Sequence, residues 1–598
     1  MNCPSRVDPV HNEGWNQNPP DLNADATTRA DFEHISNARR LQDHRIDPKD
    51  AAQIEVEQGG QEKTEGQADG KTEGGRGRGG VATAGGDGSP GRHAGTLSHW
   101  AVQMRRVLVK YSKFIGPGFM VAVAYIDPGN YATDVAAGAS FRFKLLFIVL
   151  MSNIFAIFLQ SLCIKLGSVT GMNLAENCKA HLPPWLNYVL YAFAESAIIA
   201  TDIAEVIGTA IALNILLKVP LVAGCAISIV DVLIILIFYR PSGTMRGLRA
   251  FEFFVMALVL GVVICFCFEL SQIKNTSVGD VFRGYLPSAT LIKSQALFQS
   301  CGILGATVMP HSLYLGSGIV QPRLREFDIK NTPEDFPHEN PNSSQTDTFS
   351  LSSTSTSALK YKPSLAAIRA CMSYSIVELA ISLFTFALFV NSAILIVAGA
   401  SLNHLPEASD ADLFTIHNLL SSTLAPVAGT LFALALLLSG TSAGIVCTIS
   451  GQMVSEGQLN WTIKPWVRRL ITRSISITPS IIIAGAVGRE GLGRALQGSQ
   501  VALSVILPFV SAPLLWFTCR GQYMKVKVRR DVDVGSIGRG IGEEGGGEAE
   551  GMGNGGEDGE EWVQMRNHWV TAVFAVLIWG VIVVMNVALL VLVGMGVA

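Results

Sequence analysis

Charge is scarce in this chain of 598 residues: 16% of them are Asp, Glu, Lys or Arg, against 49% hydrophobic, and the mean hydropathy is +0.35. That balance excludes an ordinary soluble enzyme and indicates a polytopic membrane protein, with the lipid bilayer and not nucleic acid as its surroundings. Cysteine is sparse and unpatterned. None of the ten forms a Cys-x-x-Cys pair, and all but Cys3, Cys178 and Cys519 lie within apolar runs, so neither a disulfide framework nor a zinc site is expected. The amino terminus lacks a basic stretch followed by an apolar one, so no cleavable secretory signal is expected and the first hydrophobic helix serves as the insertion signal. Apolar residues are sparse in 1–98 and in 534–561, both rich in Gly and Glu. Such stretches cannot offset their ordering entropy and are expected to be disordered.

Apolar windows long enough to cross a bilayer fall near 114–139, 143–167, 187–215, 220–239, 250–270, 295–320, 366–398, 425–449, 467–488, 498–518 and 567–595, about eleven helices in an all-α polytopic fold. Lys and Arg collect on one side of these spans, at Arg105, Arg106, Lys110 and Lys113, at Arg240, Arg246 and Arg249, and at Arg323, Arg325 and Arg369. Arg468, Arg469, Lys525, Lys527, Arg529 and Arg530 join them. By the positive-inside rule that side, and the N-terminus, is cytosolic. An odd number of spans puts the C-terminal end outside, and the sequon Asn275-Thr276-Ser277 falls on the outer or lumenal side.

Two spans are interrupted. Asp127-Pro128-Gly129-Asn130 breaks the first, and Gly305-Ala306-Thr307-Val308-Met309-Pro310-His311 breaks the sixth. Pro128, Gly129 and Pro310 unwind their helices and release the Ala124 and Ala306 carbonyls. Unwound backbone at membrane depth survives only where it lines an enclosed cavity, and paired breaks at corresponding positions of two five-helix halves are the signature of an inverted-repeat transporter with a midplane site. If the breaks face each other, a cation would meet the Asp127 carboxylate, the Asn130 amide oxygen, the Ala306 carbonyl and the Met309 thioether. Sulfur disfavours Mg²⁺ and Ca²⁺, so the expected cargo is Mn²⁺ or Fe²⁺, with Co²⁺ and Cd²⁺ accepted. Turn chemistry is the bland reading of Asp-Pro-Gly-Asn and core filling that of Met309; the apolar flanks and the pairing of the breaks weigh against both. In the third span Glu195, Asp202 and Glu205 lie at i, i+7 and i+10, within about a quarter turn of one face, each at a cost of about 2.5–3.5 kcal/mol. They read as a proton stripe with Arg473 as counter-ion, or alternatively as a structural ion pair.

Asp127-Pro128-Gly129-Asn130 and Met309-Pro310-His311 resemble the paired motifs of the Nramp family, proton-coupled divalent-metal transporters of fungal manganese and iron type among others, with the LeuT-type fold. The likeness covers about residues 100–525. It implies that Asp127, Asn130, Ala306 and Met309 bind metal, that Gln500 in Ser499-Gln500-Val501 reaches it in some conformations, and that protons pass through Asp127 and His311 toward Asp202, Glu205 and Arg473. The chain departs from the family pattern at Ser312 and Gly316, where the family often has Asn and a second His, and at Thr441 in place of Gln. Asp231, Glu378 and Asn391 also resemble family positions but receive no role.

The expected organisation is a disordered cytosolic tail at 1–98 and a transmembrane core at 99–520, a LeuT-type inverted repeat of five plus five helices at about 114–270 and 295–518. A cytosolic loop at about 322–365, Ser/Thr-rich over 342–357, joins the halves; a disordered loop at 521–562 precedes one extra C-terminal helix at 563–598. The expected function is symport of metal and protons into the cytosol by alternating access. Metal is cargo, H⁺ the coupling ion, no cofactor is required and the protein is no enzyme. A metal sensor without transport and a LeuT-type symporter of an organic solute are the alternatives. The membrane is the plasma membrane or an endosomal or vacuolar one, and the sequence sets no oligomeric state.

Overall fold

The computed structural model describes residues 116–228, 245–274, 276–331, 361–403, 405, 412–459, 465–528 and 561–596. The tail 1–98, Asn275 of the sequon, Asp231, the stretch 342–357 and most of the loop 521–562 lie outside them.

The first span consists of two helices, α1 (Pro117–Val123) and α2 (Pro128–Phe141). At the end of α1 the ladder tightens, the amides of Ala124, Tyr125 and Ile126 each donating to a carbonyl three residues back, and then it stops. Pro128, which has no N–H to satisfy, opens α2, and Asp127 caps it by accepting the Asn130 amide at 3.0 Å. The chain continues through α3 (Leu146–Thr170), α4 (Leu174–His181) and α5 (Pro184–Leu217). A short α6 (221–228) opens the expected fourth span, followed by α7 (Met245–Ser271) and α8 (Val278–Gly284).

The second half repeats the device. α9 (Ser294–Thr307) stops, and α10 (Pro310–Gly318) restarts with Met309 as its N-cap. Next come α11 (Gln321–Asn331), α12 (Leu365–Ser382), which runs through a π-helical turn at Leu383–Ala387 into α13 (Leu388–Ser401), and α14 (Leu413–Thr423). α15 (Pro426–Leu459), α16 (Pro465–Ala486) and α17 (Gly488–Cys519) complete the core. Strands β1 (Lys525–Lys527) and β2 (Trp562–Gln564) pair antiparallel before α18 (Trp569–Gly594).

Among the described residues, eight helical stretches are long and apolar enough to cross a membrane. The first span falls short of that measure because its break leaves two short pieces, and α16 offers only the shorter apolar stretch Leu470–Ala486. Burial sorts the spans. The apolar window of α5 is 83% buried and that of α18 only 22%, so α5 runs through the centre while α18 lies at the rim. Two polar contacts fix α18 to α17: Ser504 Oγ donates to Asn586 Oδ1 at 2.9 Å, and Trp579 Nε1 donates to the Pro508 carbonyl at 2.9 Å. Close approaches need glycine. A Cβ on Gly208 of α5 would strike the Pro128 ring, and one on Gly167 of α3 would strike the Ser317 backbone.

Three stretches read as loop contain ordered elements. α11 occupies the start of the 322–365 segment, where Asp328 accepts Tyr361 Oη at 2.6 Å, the Ser364 amide at 3.0 Å and Ser364 Oγ at 2.5 Å, tying it to the start of α12. α14 lays Leu413, Phe414, Ile416 and Leu420 against the core from a polar linker. The ends of the 521–562 segment are the paired strands, in register Lys525↔Gln564, Val526↔Val563 and Lys527↔Trp562.

Candidate metal site

The two breaks meet. From α2, Asn130 Nδ2 lies 2.8 Å from Asp127 Oδ1, 3.1 Å from the Tyr125 carbonyl and, across the repeat, 3.2 Å from the Ala306 carbonyl. Its two hydrogens are thus shared among three acceptors. The Ala306 carbonyl, expected to be free, is held by this amide instead. From α17 the Gln500 amide packs so closely on Gly129 that a Cβ there would run into it, and Gly305 makes equal room for the Gln500 carbonyl. Side chains from the second half support the unwound segment: Asn391 Nδ2 donates to the Tyr125 carbonyl at 3.1 Å, and Ser439 Oγ donates to that of Ile126 at 2.8 Å. Borrowed partners of this kind are what broken backbone at membrane depth requires.

Asp127, Asn130, Ala306, Met309 and Gln500 are all fully buried. The structure gathers Asp127, Asn130, Ala306 and Gln500 around the start of α2. Met309 caps α10 three residues beyond Ala306, its carbonyl accepting Ser312 Oγ at 2.7 Å. Asp127 Oδ2, Asn130 Oδ1 and Gln500 Oε1 have no hydrogen-bond partner among the described residues. These are acceptor atoms only, and burial without a donor carries a cost that a cation removes. The carbonyl ends of α1 and α9 and the amide ends of α2 and α10 converge here, so the helix dipoles largely oppose one another and the Asp127 carboxylate sets the sign of the site.

A second polar cluster lies along α5. Arg473 of α16 bonds Asp202 and reaches Glu205 Oε2 at 3.3 Å, all three side chains being buried. His311 Nδ1 lies 3.3 Å from Thr201 Oγ1, which donates to the Ala197 carbonyl at 3.0 Å, so the helix-ten histidine touches α5 one residue before Asp202. Glu195 stands apart from the Arg473 pairings, one turn beyond Tyr191 on α5.

The departures from the family pattern are compensated locally. At Gly316 a Cβ would meet Gln160 Oε1, so the Gln160 side chain fills the space a larger residue would take. Gln160 Nε2 then donates to Tyr125 Oη and Ser312 Oγ, each at 2.9 Å, and those two hydroxyls lie 3.0 Å apart. Thr441 Oγ1 donates back to the Leu437 carbonyl at 2.9 Å, and Ser439 takes the part in supporting the break.

Sequence reading missed several of these roles. Glu378 holds the foot of α1, accepting the Gly116 amide at 2.9 Å and the Gly118 amide at 2.7 Å. Beside it, Arg323 and Glu252 pair at 2.9 Å, both buried. Gly116, at φ 144, fits there because any side chain would strike Glu252 and Arg323. Asp134 of α2 and Glu269 of α7 are fully buried carboxyls, and among the described residues neither oxygen of either has a hydrogen-bond partner. For Glu378, Glu252, Asp134 and Glu269 the signal was present: a carboxyl inside an apolar span is costly enough to demand a reason.

The family model described as "Natural resistance-associated macrophage protein-like" matches residues 118–537. The manganese transporter SMF1 of Saccharomyces cerevisiae is 54% identical over 516 residues, covering 82% of this chain and 87% of that protein. The iron transporter SMF3 of the same yeast is 51% identical over 439 residues, covering 72% and 88%. The divalent metal cation transporter MntH of Xanthomonas campestris is 39% identical over 406 residues, covering 68% and 82%. Among solved structures, the Eremococcus coleocola manganese transporter superposes with a TM-score of 0.60 at 28% identity, covering 81% of this chain and 86% of that one. The chain therefore belongs to the Nramp family of multi-pass membrane transporters, which has the LeuT-type fold, and its fungal relatives are more similar to it than the bacterial ones named here.

Proposed function

We propose that this protein carries Mn²⁺ or Fe²⁺, together with protons, toward the cytosol by alternating access, from a plasma, endosomal or vacuolar membrane with its N-terminus cytosolic. The names of the yeast relatives supply the two metals. The observation that carries the reading is the set of unpartnered oxygens, Asp127 Oδ2, Asn130 Oδ1 and Gln500 Oε1, around two facing helix breaks.

Binding and local rearrangement are coupled at Asn130. Its Nδ2 sits between Asp127 Oδ1, the Tyr125 carbonyl and the Ala306 carbonyl. Turning the amide to present Oδ1 would set four oxygens against each other unless a cation lies among them. A divalent ion thus replaces the amide hydrogens and draws the two breaks together, with Met309 sulfur favouring transition metals over Ca²⁺ and Mg²⁺. At the cytosolic end, release of the Gly116 and Gly118 amides by Glu378 frees α1 to swing and open the site inward. Protons from Asp127 and His311 pass to the Asp202–Arg473–Glu205 cluster between α5 and α16.

The test is uptake of Mn²⁺, and of Fe²⁺ under ascorbate, into proteoliposomes with a trapped pH dye. Metal entry with internal acidification is expected; metal entry at constant pH would remove the proton from the mechanism, and no entry from folded, oriented protein would remove transport. In the same assay Met309→Ala keeps Mn²⁺ flux measurable while Ca²⁺ and Mg²⁺ compete about 10- to 100-fold better than with wild type. Unchanged selectivity contradicts a ligand role for the sulfur.

A further inference from the structure

We propose that Asp202, Glu205 and Cys447 form a second cation site, for a soft divalent ion such as Cd²⁺ or Zn²⁺, separate from the cargo site between the helix breaks. Cys447 projects from α15 toward the two α5 acids. One ligand atom from each residue lies within 4.8 Å of those of the other two, and all three residues are buried. Tetrahedral ions with Zn–S and Zn–O bonds of about 2.0–2.3 Å need ligands somewhat closer than that limit, a contraction that side-chain rotation supplies.

The cluster has capacity for another cation. Arg473 engages Asp202 and Glu205 Oε2, while Glu205 Oε1, fully enclosed, has no hydrogen-bond partner among the described residues. With two carboxylates, one guanidinium and a neutral thiol, the charges of these four side chains sum to one negative. A divalent ion that binds as the Cys447 S–H bond breaks and its proton leaves to solvent brings that sum to zero: three anionic ligands balanced by the guanidinium and the ion. Thiolate with carboxylate selects Zn²⁺ and Cd²⁺ over Mg²⁺ and Ca²⁺. The thiol now has only a weak contact, 3.8 Å from the Ile198 carbonyl, and its approach to Asp202 to hold it. The cargo site offers a thioether and no thiol, so the two sites differ in the sulfur they present.

An ion here would occupy the acids assigned above to proton movement; that consequence rests on the proposed coupling, whereas the site itself rests on the geometry. The experiment reads metal–sulfur bonding and not flux, so the two can fail separately. The full chain in lipid nanodiscs, carrying Asp127→Ala to disable the cargo site and Cys3→Ser, Cys267→Ser and Cys519→Ser to remove the tail thiol and the two that are not buried, is titrated with Cd²⁺ while the ultraviolet thiolate-to-cadmium charge-transfer band is followed. A saturable band is expected. Adding Cys447→Ser should abolish it, and adding Glu205→Gln should shift its midpoint to about 10- to 100-fold higher Cd²⁺. No band, or a band that survives Cys447→Ser, overturns the site. Should Cys447→Ser fail to fold, anomalous diffraction from Cd²⁺-soaked crystals of the Asp127→Ala protein decides it: a peak bonded to Cys447 Sγ supports the site, and a featureless map there overturns it.

Discussion

Asp127→Ala is expected to lower Mn²⁺ uptake to below about one-hundredth of wild type, because loss of a ligand itself should at least match the upper end of what loss of a supporting residue costs. Asp127 contributes the only carboxylate among the proposed ligands, so without it the remaining amide and carbonyl oxygens must hold a divalent ion with no net negative charge. The residue also has a structural task. Its Oδ1 accepts the Asn130 amide as the N-cap of α2, and loss of a cap costs about 0.5–2 kcal/mol. Asp127→Asn separates the two tasks, since its amide oxygen can still accept that N–H. Both variants should lose flux, and only the alanine should also melt lower. Near-normal Mn²⁺ uptake by a folded Asp127→Asn protein would sink the ligand assignment.

Arg473→Leu is expected to be the most destabilising single change, at about 3–5 kcal/mol, because it leaves the Asp202 and Glu205 carboxylates buried together with no cation. The loss should appear as a fall in the melting temperature of the purified protein. Neutralising the acids as well, in the Arg473→Leu/Asp202→Asn/Glu205→Gln triple variant, should recover most of it, since the cost lies in the unpaired charge more than in the missing contact. A triple variant as unstable as the single one would show that Arg473 stabilises by packing alone. Proton uptake should be lost in both, which distinguishes a working relay from a purely structural ion pair; a stable triple variant that still acidifies the vesicle interior would remove the cluster from the proton route.

Much of this arrangement was legible because membrane insertion leaves strong marks on a sequence. Apolar run length locates spans, Lys and Arg suggest their direction, and a Pro or Gly inside a run locates a break. The ordered pieces that went unread, α11, α14 and the β1–β2 pair, lie between spans, where no such mark applies. α14 carries its apolar residues on one side of a short helix, and the β1–β2 pairing joins residues across an intervening stretch of the chain.

The candidate site divides in the same way. Asp127, Asn130, Ala306 and Met309 stand beside the prolines that unwind their helices, so their chemistry follows from local sequence alone. The fold class, the positions of both breaks and the proposed soft–hard ligand set were therefore legible in the order of residues. Only the tertiary structure decided that Asn130 Nδ2 bridges the breaks to the Ala306 carbonyl, that Gln160 fills the space beside Gly316, that Glu378 holds the foot of α1, and that Cys447 faces Asp202 and Glu205. Each of these contacts joins residues more than 150 positions apart, a distance over which helix periodicity and turn chemistry carry no information and only the packing of one helix on another sets which side chains meet.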